Sequence, residues 1–155
     1  MRRRGGLARF AGARRFAWNW ALDRRRGFYA EHGCGIPAAQ LSAELTALKQ
    51  APGTAWLAEI DSQLLQQALA DLSRAYTNFF GHRARFPRFE SRKRDQARFR
   101  IPQRVVLRDG RLYCPKLGWI RVRQSQPIGP GETVKSATFK QTATGHWQVT
   151  LVAEF

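Results

Sequence analysis

The sequence predicts an α+β protein in which an N-terminal three-helix bundle is followed by a small antiparallel β-barrel. The first observation behind this prediction is the change in apolar spacing, which is helical as far as Phe79 and alternates at strand spacing from Ala97 onward. The second is that the predicted helices are joined by short connections, as in a bundle. With 155 residues, of which 43% are hydrophobic, the chain can form one domain or two small ones that share a core.

The first two helices are predicted from their apolar spacing and from the residues at their ends. The first extends from Phe10 to Tyr29, and Gly33 is a suitable residue for ending it. The second begins near Pro37, because proline fits the first position of a helix. A short turn follows, and Thr54 is expected to cap it with its side chain. The apolar positions are Phe10, Ala17, Trp18, Ala21, Leu22, Phe28 and Tyr29 in the first helix and Leu41, Leu45 and Leu48 in the second.

The third helix has the clearest pattern of the three. Asp61 is predicted to cap its start and Gly81 to close it. Its surface carries Gln63, Gln66 and Gln67, and a glutamine can pair with adenine in the major groove, although glutamine is also ordinary on helix surfaces. The apolar positions follow a period of 3.6 residues: Leu65, Ala68, Leu69, Leu72, Ala75, Tyr76 and Phe79.

The second half of the chain predicts five or six antiparallel strands, enough for a small barrel or a curled sheet. A hairpin is expected over residues 105–115, because Asp109-Gly110 is a strong two-residue turn signal. Residues 143–145 form the other predicted turn. The predicted strand segments are residues 97–101, the two arms of the hairpin, and residues 119–123, 133–142 and 146–155.

Charge is strongly positive and unevenly distributed along the chain. The 27 Lys and Arg residues face 11 Asp and Glu, which gives a formal net charge of +16. Residues 1–26 have a net charge of +8, residues 82–100 of +6 and residues 101–155 of +5, whereas residues 37–73 have −3. A chain of this charge resists compaction unless a polyanion neutralises it, so nucleic acid is the expected partner. Clustering of the charge favours a binding groove over a merely solubilising surface.

The segment that links the predicted bundle to the predicted strands is the most basic part of the chain. In residues 82–100, arginines alternate with Phe86, Phe89 and Phe99. The rings are expected to anchor the segment in the core, with base stacking as the alternative. The arginines are expected to contact phosphates. The residues predicted to contact the nucleic-acid backbone are Arg14, Arg15, Arg83, Arg85, Arg88, Arg92, Lys93, Arg94 and Arg98.

No catalytic, metal or cofactor site is predicted. The three histidines lie far apart in the sequence, and the acidic residues do not form the clusters that a two-metal nuclease needs. Cys34 and Cys114 have no neighbouring ligand residues and are interpreted as reduced thiols of a cytoplasmic protein. No apolar run reaches the roughly 18 residues of a membrane span, so no membrane partner is expected.

Four ordered stretches carry a resemblance to a known family. They are "ARRFAWNWAL" at residues 13–22, "LSAELTALKQAPGTAWLAEIDSQLLQQALADLSRAYTNFF" at 41–80, "FPRF" at 86–89 and "GRLYCPKLGWIRVR" at 110–123. In this order they resemble the N-terminal half of TnpB, the transposon-encoded RNA-guided DNA endonuclease family that is related to type V CRISPR effectors. The resemblance extends from about Leu7 to the last residue.

The resemblance implies a division of the chain and a set of binding residues. Residues 1–81 correspond to the helical recognition lobe, 82–96 to a basic linker and 97–155 to a wedge-type β-barrel. Together these parts would hold guide RNA and double-stranded target DNA, while base pairing reads the target itself. The family positions that read the short DNA motif beside the target fall on Ser42, Ser62, Gln66 and Arg100. Ala38 occupies a further such position, where the family can have an aromatic residue.

The resemblance also implies parts that this sequence does not contain. In the family a first wedge strand precedes the first helix, and the catalytic carboxylates lie in a RuvC domain after the last wedge strand. Here only "MRRRGG" precedes Leu7, and the sequence stops at Phe155. The chain is therefore expected to have no catalytic activity of its own and to be a nucleoid-associated protein of a prokaryotic cytoplasm.

Three functions stay open at this point. The favoured one is the nucleic-acid-binding part of a TnpB-like nuclease. The second is a subunit of a split nuclease whose RuvC domain is on another chain. The third is a stand-alone DNA-binding repressor, which would recognise DNA without RNA.

Overall fold

The structure is a computed structural model that describes residues 2–125, 128–129 and 131–154, and the side chains from Gly5 onward. It confirms the α+β class, with helices first and antiparallel strands second. The first helix begins at Arg2, which is earlier than the predicted start at Phe10. The helices are α1 (Arg2–His32), α2 (Ala38–Leu48), a short 3-10 helix (Ala55–Glu59) and α3 (Ser62–Phe80).

Most of the predicted helix ends are confirmed by local hydrogen bonds. Gly33 adopts a φ of 72° and its N–H donates to the Tyr29 carbonyl, which ends α1. Asp61 caps α3 by accepting a hydrogen bond of 3.3 Å from the Gln63 N–H. The predicted Thr54 cap is wrong: its hydroxyl donates backwards to the Leu48 carbonyl at 2.7 Å and so closes the preceding turn.

The strands form two open three-stranded sheets rather than the closed barrel that was predicted. One sheet has the order β1-β5-β6 and the other β2-β3-β4, and every pairing in them is antiparallel. The described strands pair only within their own sheets, so each sheet keeps two edges. The strands are β1 (Arg98–Ile101), β2 (Val106–Arg108), β3 (Arg111–Cys114), β4 (Gly118–Arg121), β5 (Thr133–Gln141) and β6 (Trp147–Glu154).

The predicted hairpin is confirmed at the turn between β2 and β3. Asp109 and Gly110 have φ values of 51° and 74°, the two left-handed conformations that a type I′ turn requires. This turn sets the register of β2 on β3, in which Arg108 lies opposite Arg111.

One hydrophobic core connects the helices to the sheets. Phe99 on β1 is 1% exposed, lies edge-on to Phe10 of α1 at 5.6 Å and stacks on Phe139 of β5 at 4.6 Å. The same end of α1 also approaches the turn before β4, since a Cβ at Gly6 would lie 2.8 Å from the Leu117 side chain. The predicted domain boundaries at residues 81 and 97 stay a prediction. The helical part and the strands pack against each other through the shared core.

The two cysteines have opposite environments. Cys34 is exposed and Cys114 is buried, and both are free thiols, as predicted. Burial raises the pKa of Cys114 to about 12, so this thiol stays protonated at neutral pH.

None of the described helices is both long and apolar enough to cross a membrane.

Candidate nucleic-acid interface

The basic linker is fixed to α1 by side chains of the "WNW" motif. Asn19 makes a pair of hydrogen bonds with the backbone of Glu90, donating to its carbonyl at 2.9 Å and accepting from its N–H at 2.8 Å. One residue earlier, the Trp18 indole donates to the Arg88 carbonyl at 2.9 Å. These bonds fix the backbone of residues 88–90 on the helix, so this part of the linker has a defined position.

Arg14 is the one predicted phosphate contact that lies in the interior, and for this residue the sequence prediction conflicts with the geometry. Its guanidinium forms an ion pair with Glu90 in which both side chains are only 7% exposed, and it donates to the Arg98 carbonyl at 2.9 Å. Burial lowers the pKa of Arg14, and the charge of Glu90 partly opposes this shift. Arg98 shares the same carboxylate at 3.3 Å and is 38% exposed. We therefore leave Arg14 out of the proposed interface and assign it to the anchoring of the linker.

Other cations of the linker are directed to solvent. Arg88 and Arg94 both contact Asp95, at 2.9 Å and 3.7 Å, but remain about 60% exposed. No ion pair is found for four further exposed residues within the described part of the chain, namely Arg83, Arg85, Arg92 and Lys93. A charge without an internal partner is free to neutralise a phosphate.

A second cationic surface lies on α1, in a groove of about 640 Å³. Arg15 and Trp20 line it, on one face of the "RRFAWNW" segment. Trp18 and Trp20 point about 200° apart on a helix, so Trp18 reaches the linker while Trp20 faces the groove. Arg9, Gly12, Phe16, Asn19 and Trp56 complete the lining.

The predicted motif-reading residues are arranged across α2, α3 and β1. Ser42 donates to the Gln66 side-chain oxygen at 3.0 Å, and both residues line a groove between α2 and α3 together with Ala38. Ser62 lies one turn before Gln66 on α3, on the same helix face. Arg100 does not reach these residues and instead donates to Gln67 at 3.0 Å on the neighbouring face of α3.

The structure also shows a surface that the sequence analysis did not single out. We call it the aromatic groove, a depression of about 600 Å³ between the end of α1 and the end of α3. Exposed rings of Tyr29, Phe80 and Phe86 border it, and Arg25 and Arg26 lie on its rim. Phe86 was expected in the core but is 43% exposed. The spacing of Tyr76 and Phe80, four residues apart, was the available signal.

No group of three or more His, Cys, Asp or Glu side chains that could hold a metal ion exists among the residues that the structure describes. The candidate interface is therefore built from arginines, amides, hydroxyls and aromatic rings.

A comparison with protein families gives a match to the first helix. The model of the helix-turn-helix domain of IS605 OrfB proteins matches residues 4–34, which comprise α1 without its first two residues and the two residues after it. The matched segment is thus similar to the helix-turn-helix domain of these proteins.

Sequence comparison then gives two longer proteins that this chain resembles. The chain is 42% identical over 150 residues to the Escherichia coli (strain K12) protein named "Putative RNA-guided DNA endonuclease InsQ". It is 34% identical over 151 residues to a protein of Streptomyces pristinaespiralis that is named "Putative RNA-guided DNA endonuclease". Over 96% of its length the chain is homologous to the N-terminal part of these TnpB-family proteins, and it spans 36% and 37% of their lengths. The family resemblance predicted from the sequence is confirmed.

Proposed function

We propose that this chain is the part of a TnpB-like RNA-guided nuclease that holds guide RNA and the DNA duplex beside the target. The observation that carries the proposal is the linker of residues 82–96, whose exposed cations lie on both sides of residues 88–90, the segment that is hydrogen-bonded to α1. A backbone that is fixed before binding lowers the ordering cost of the phosphate contacts made from it.

The nucleic-acid backbone is proposed to lie along the linker and the adjacent cationic groove of α1. Arg83, Arg85, Arg92 and Lys93 supply charges that are not paired with a described carboxylate, and Arg15 extends the surface on α1. Arg88, Arg94 and Arg98 would contribute by exchanging their contacts with Asp95 and Glu90 for phosphate oxygens. Phosphate contacts fix orientation but carry no sequence information.

Recognition of the short DNA motif beside the target is proposed for the α2–α3 groove. The Gln66 oxygen accepts from Ser42, and its amide nitrogen donates to no described residue, so the pair presents an oriented hydrogen-bonding edge. A bidentate amide can distinguish adenine in the major groove. Ser62 and Arg100 extend the polar surface at either side, and Gln67 holds the Arg100 guanidinium in place.

The endonuclease activity in the relatives' names belongs to proteins nearly three times as long as the matched region. We propose that the cleaving carboxylates belong to a RuvC domain, either elsewhere in a longer protein or on a partner chain. The described residues then contribute binding alone.

The proposal is tested with the double variant Arg92→Ala/Lys93→Ala. Because it removes two phosphate contacts, the slope of log K against log salt should become shallower by about 2. Affinity is measured by fluorescence anisotropy with an RNA–DNA heteroduplex and with duplex DNA.

The matched control is Arg108→Ala/Arg111→Ala, which removes the same charge from the β2–β3 hairpin. It should leave the slope within about 0.5 of the unmodified chain, because these residues lie outside the proposed contacts. Equal slope changes in the two double variants would show that net charge alone, and not the linker, governs binding. Specific binding of duplex DNA that needs no RNA, with an affinity that is unchanged in both double variants, would favour the repressor function.

A further inference from the structure

Four of the exposed large hydrophobic side chains lie together at one end of the helices. Tyr29 is 63% exposed, Phe80 69%, Phe86 43% and the neighbouring Phe89 38%. Exposed aromatic residues that are scattered singly are ordinary, whereas a contiguous cluster indicates a binding surface. Three of the four border the aromatic groove.

The rings of this groove hold one another in place. Phe86 stands edge-on to both Tyr76 and Phe79, with ring centroids 5.3 Å and 5.2 Å away. Phe80 lies nearly parallel to Tyr76, at an interplanar angle of 26° and a centroid distance of 6.3 Å. Phe80 therefore presents a supported ring face to solvent, which is what stacking of a flat ligand needs.

The charges around the groove specify what kind of flat ligand fits. Arg25 lies over the Tyr76 ring at 4.2 Å and donates to the Ser73 hydroxyl, and Arg26 lies over Phe89 at 5.6 Å. These two are the only charged side chains among the described residues that line the groove, and neither is paired with a described carboxylate. Stacking rings with two guanidinium groups on the rim match a base that carries a phosphate.

The aromatic groove adjoins the proposed motif-reading surface. It shares Arg25 and Ile36 with the α2–α3 groove that contains Ser42 and Gln66, so the two surfaces are continuous. RNA presents unpaired bases in its loops and ends, whereas duplex DNA presents none until it is opened.

We propose that the aromatic groove binds an unpaired RNA nucleotide, with the base stacked on Phe80 and the phosphate held by Arg25 and Arg26. This inference rests on the proposed function, because it names a further subsite for the RNA partner.

The test is binding of an oligouridylate RNA of eight nucleotides by the full chain and by Phe80→Leu. Loss of one stacked base should weaken single-strand binding by about tenfold, while affinity for a blunt RNA–DNA heteroduplex stays within about twofold. Phe80→Trp is the matched control and should restore single-strand affinity, because it restores a ring face. Since Phe80 is 69% exposed, the leucine variant is expected to fold normally, which circular dichroism verifies.

A second readout reports stacking itself. A 2-aminopurine placed in the RNA should lose emission on binding to the unmodified chain and to Phe80→Trp, and should keep it with Phe80→Leu. Unchanged oligouridylate affinity of Phe80→Leu, in a chain that still binds heteroduplex, would overturn the subsite and leave the proposed function intact. Absence of all nucleic-acid binding by the unmodified chain would overturn both. Equal or tighter binding of oligodeoxythymidylate would assign the groove to DNA and contradict the assignment to RNA.

Discussion

Replacing Glu90 with alanine is expected to lower the free energy of unfolding by about 3–5 kcal/mol, because it leaves the buried Arg14 charge without a partner. Both side chains of this ion pair are 7% exposed, so water cannot replace the lost carboxylate. The same change removes the carboxylate contact of Arg98. Urea denaturation followed by tryptophan fluorescence measures the effect, since Trp18 contacts the linker at Arg88.

The matched control is Glu59→Ala, which removes an acid from an ion pair at the surface. Arg9 and Glu59 are 54% and 64% exposed, so the expected change is below about 1 kcal/mol. Similar small effects for both variants would contradict the view that the Arg14–Glu90 pair anchors the linker.

Phe99→Ala is expected to cost about 3–5 kcal/mol of unfolding free energy, because it removes a buried ring from the centre of the core. The ring contacts Phe10 on α1 and Phe139 on β5, so its loss weakens the junction between helices and sheets. Far-ultraviolet circular dichroism and tryptophan fluorescence together measure the effect, since Trp147 on β6 lies 6.0 Å from the Phe99 ring.

The control for this variant is Phe80→Ala, a truncation of the same side chain where it is 69% exposed. Its expected cost is below about 1 kcal/mol. In the unmodified chain the two spectroscopic probes should report one coincident transition. Two separate transitions would contradict the single shared core and would instead support independent helical and strand domains.

Much of the fold could be predicted because it is encoded locally. The 3.6-residue period of α3, its Asp61 cap and the Asp109-Gly110 turn each depend on neighbours in sequence, and the structure confirms all three. Closure of a barrel depends on pairing between distant strands, which alternation of apolar residues does not specify. The Thr54 hydroxyl can either accept from an N–H of the following turn or donate to a preceding carbonyl, and the sequence alone does not decide between these two bonds.

The candidate site was less accessible to sequence reasoning for the same reason. Clustered arginines predicted a cationic surface, but the sequence could not show which arginines are neutralised by acids. Arg14 and Glu90 are 76 residues apart, and only the tertiary fold brings them together. The aromatic groove likewise combines rings from α1, α3 and the linker, so no single stretch of sequence reveals it.

The central claim is that cations on the linker and α1 form one surface for guide RNA paired with DNA. The most direct test is the salt dependence of the affinity of the unmodified chain for an RNA–DNA heteroduplex. Four linker cations that have no ion pair with a described residue predict by themselves a slope of log K against log salt of about −4. Absent binding, or a slope near zero between about 50 and 200 mM salt, would contradict the claim.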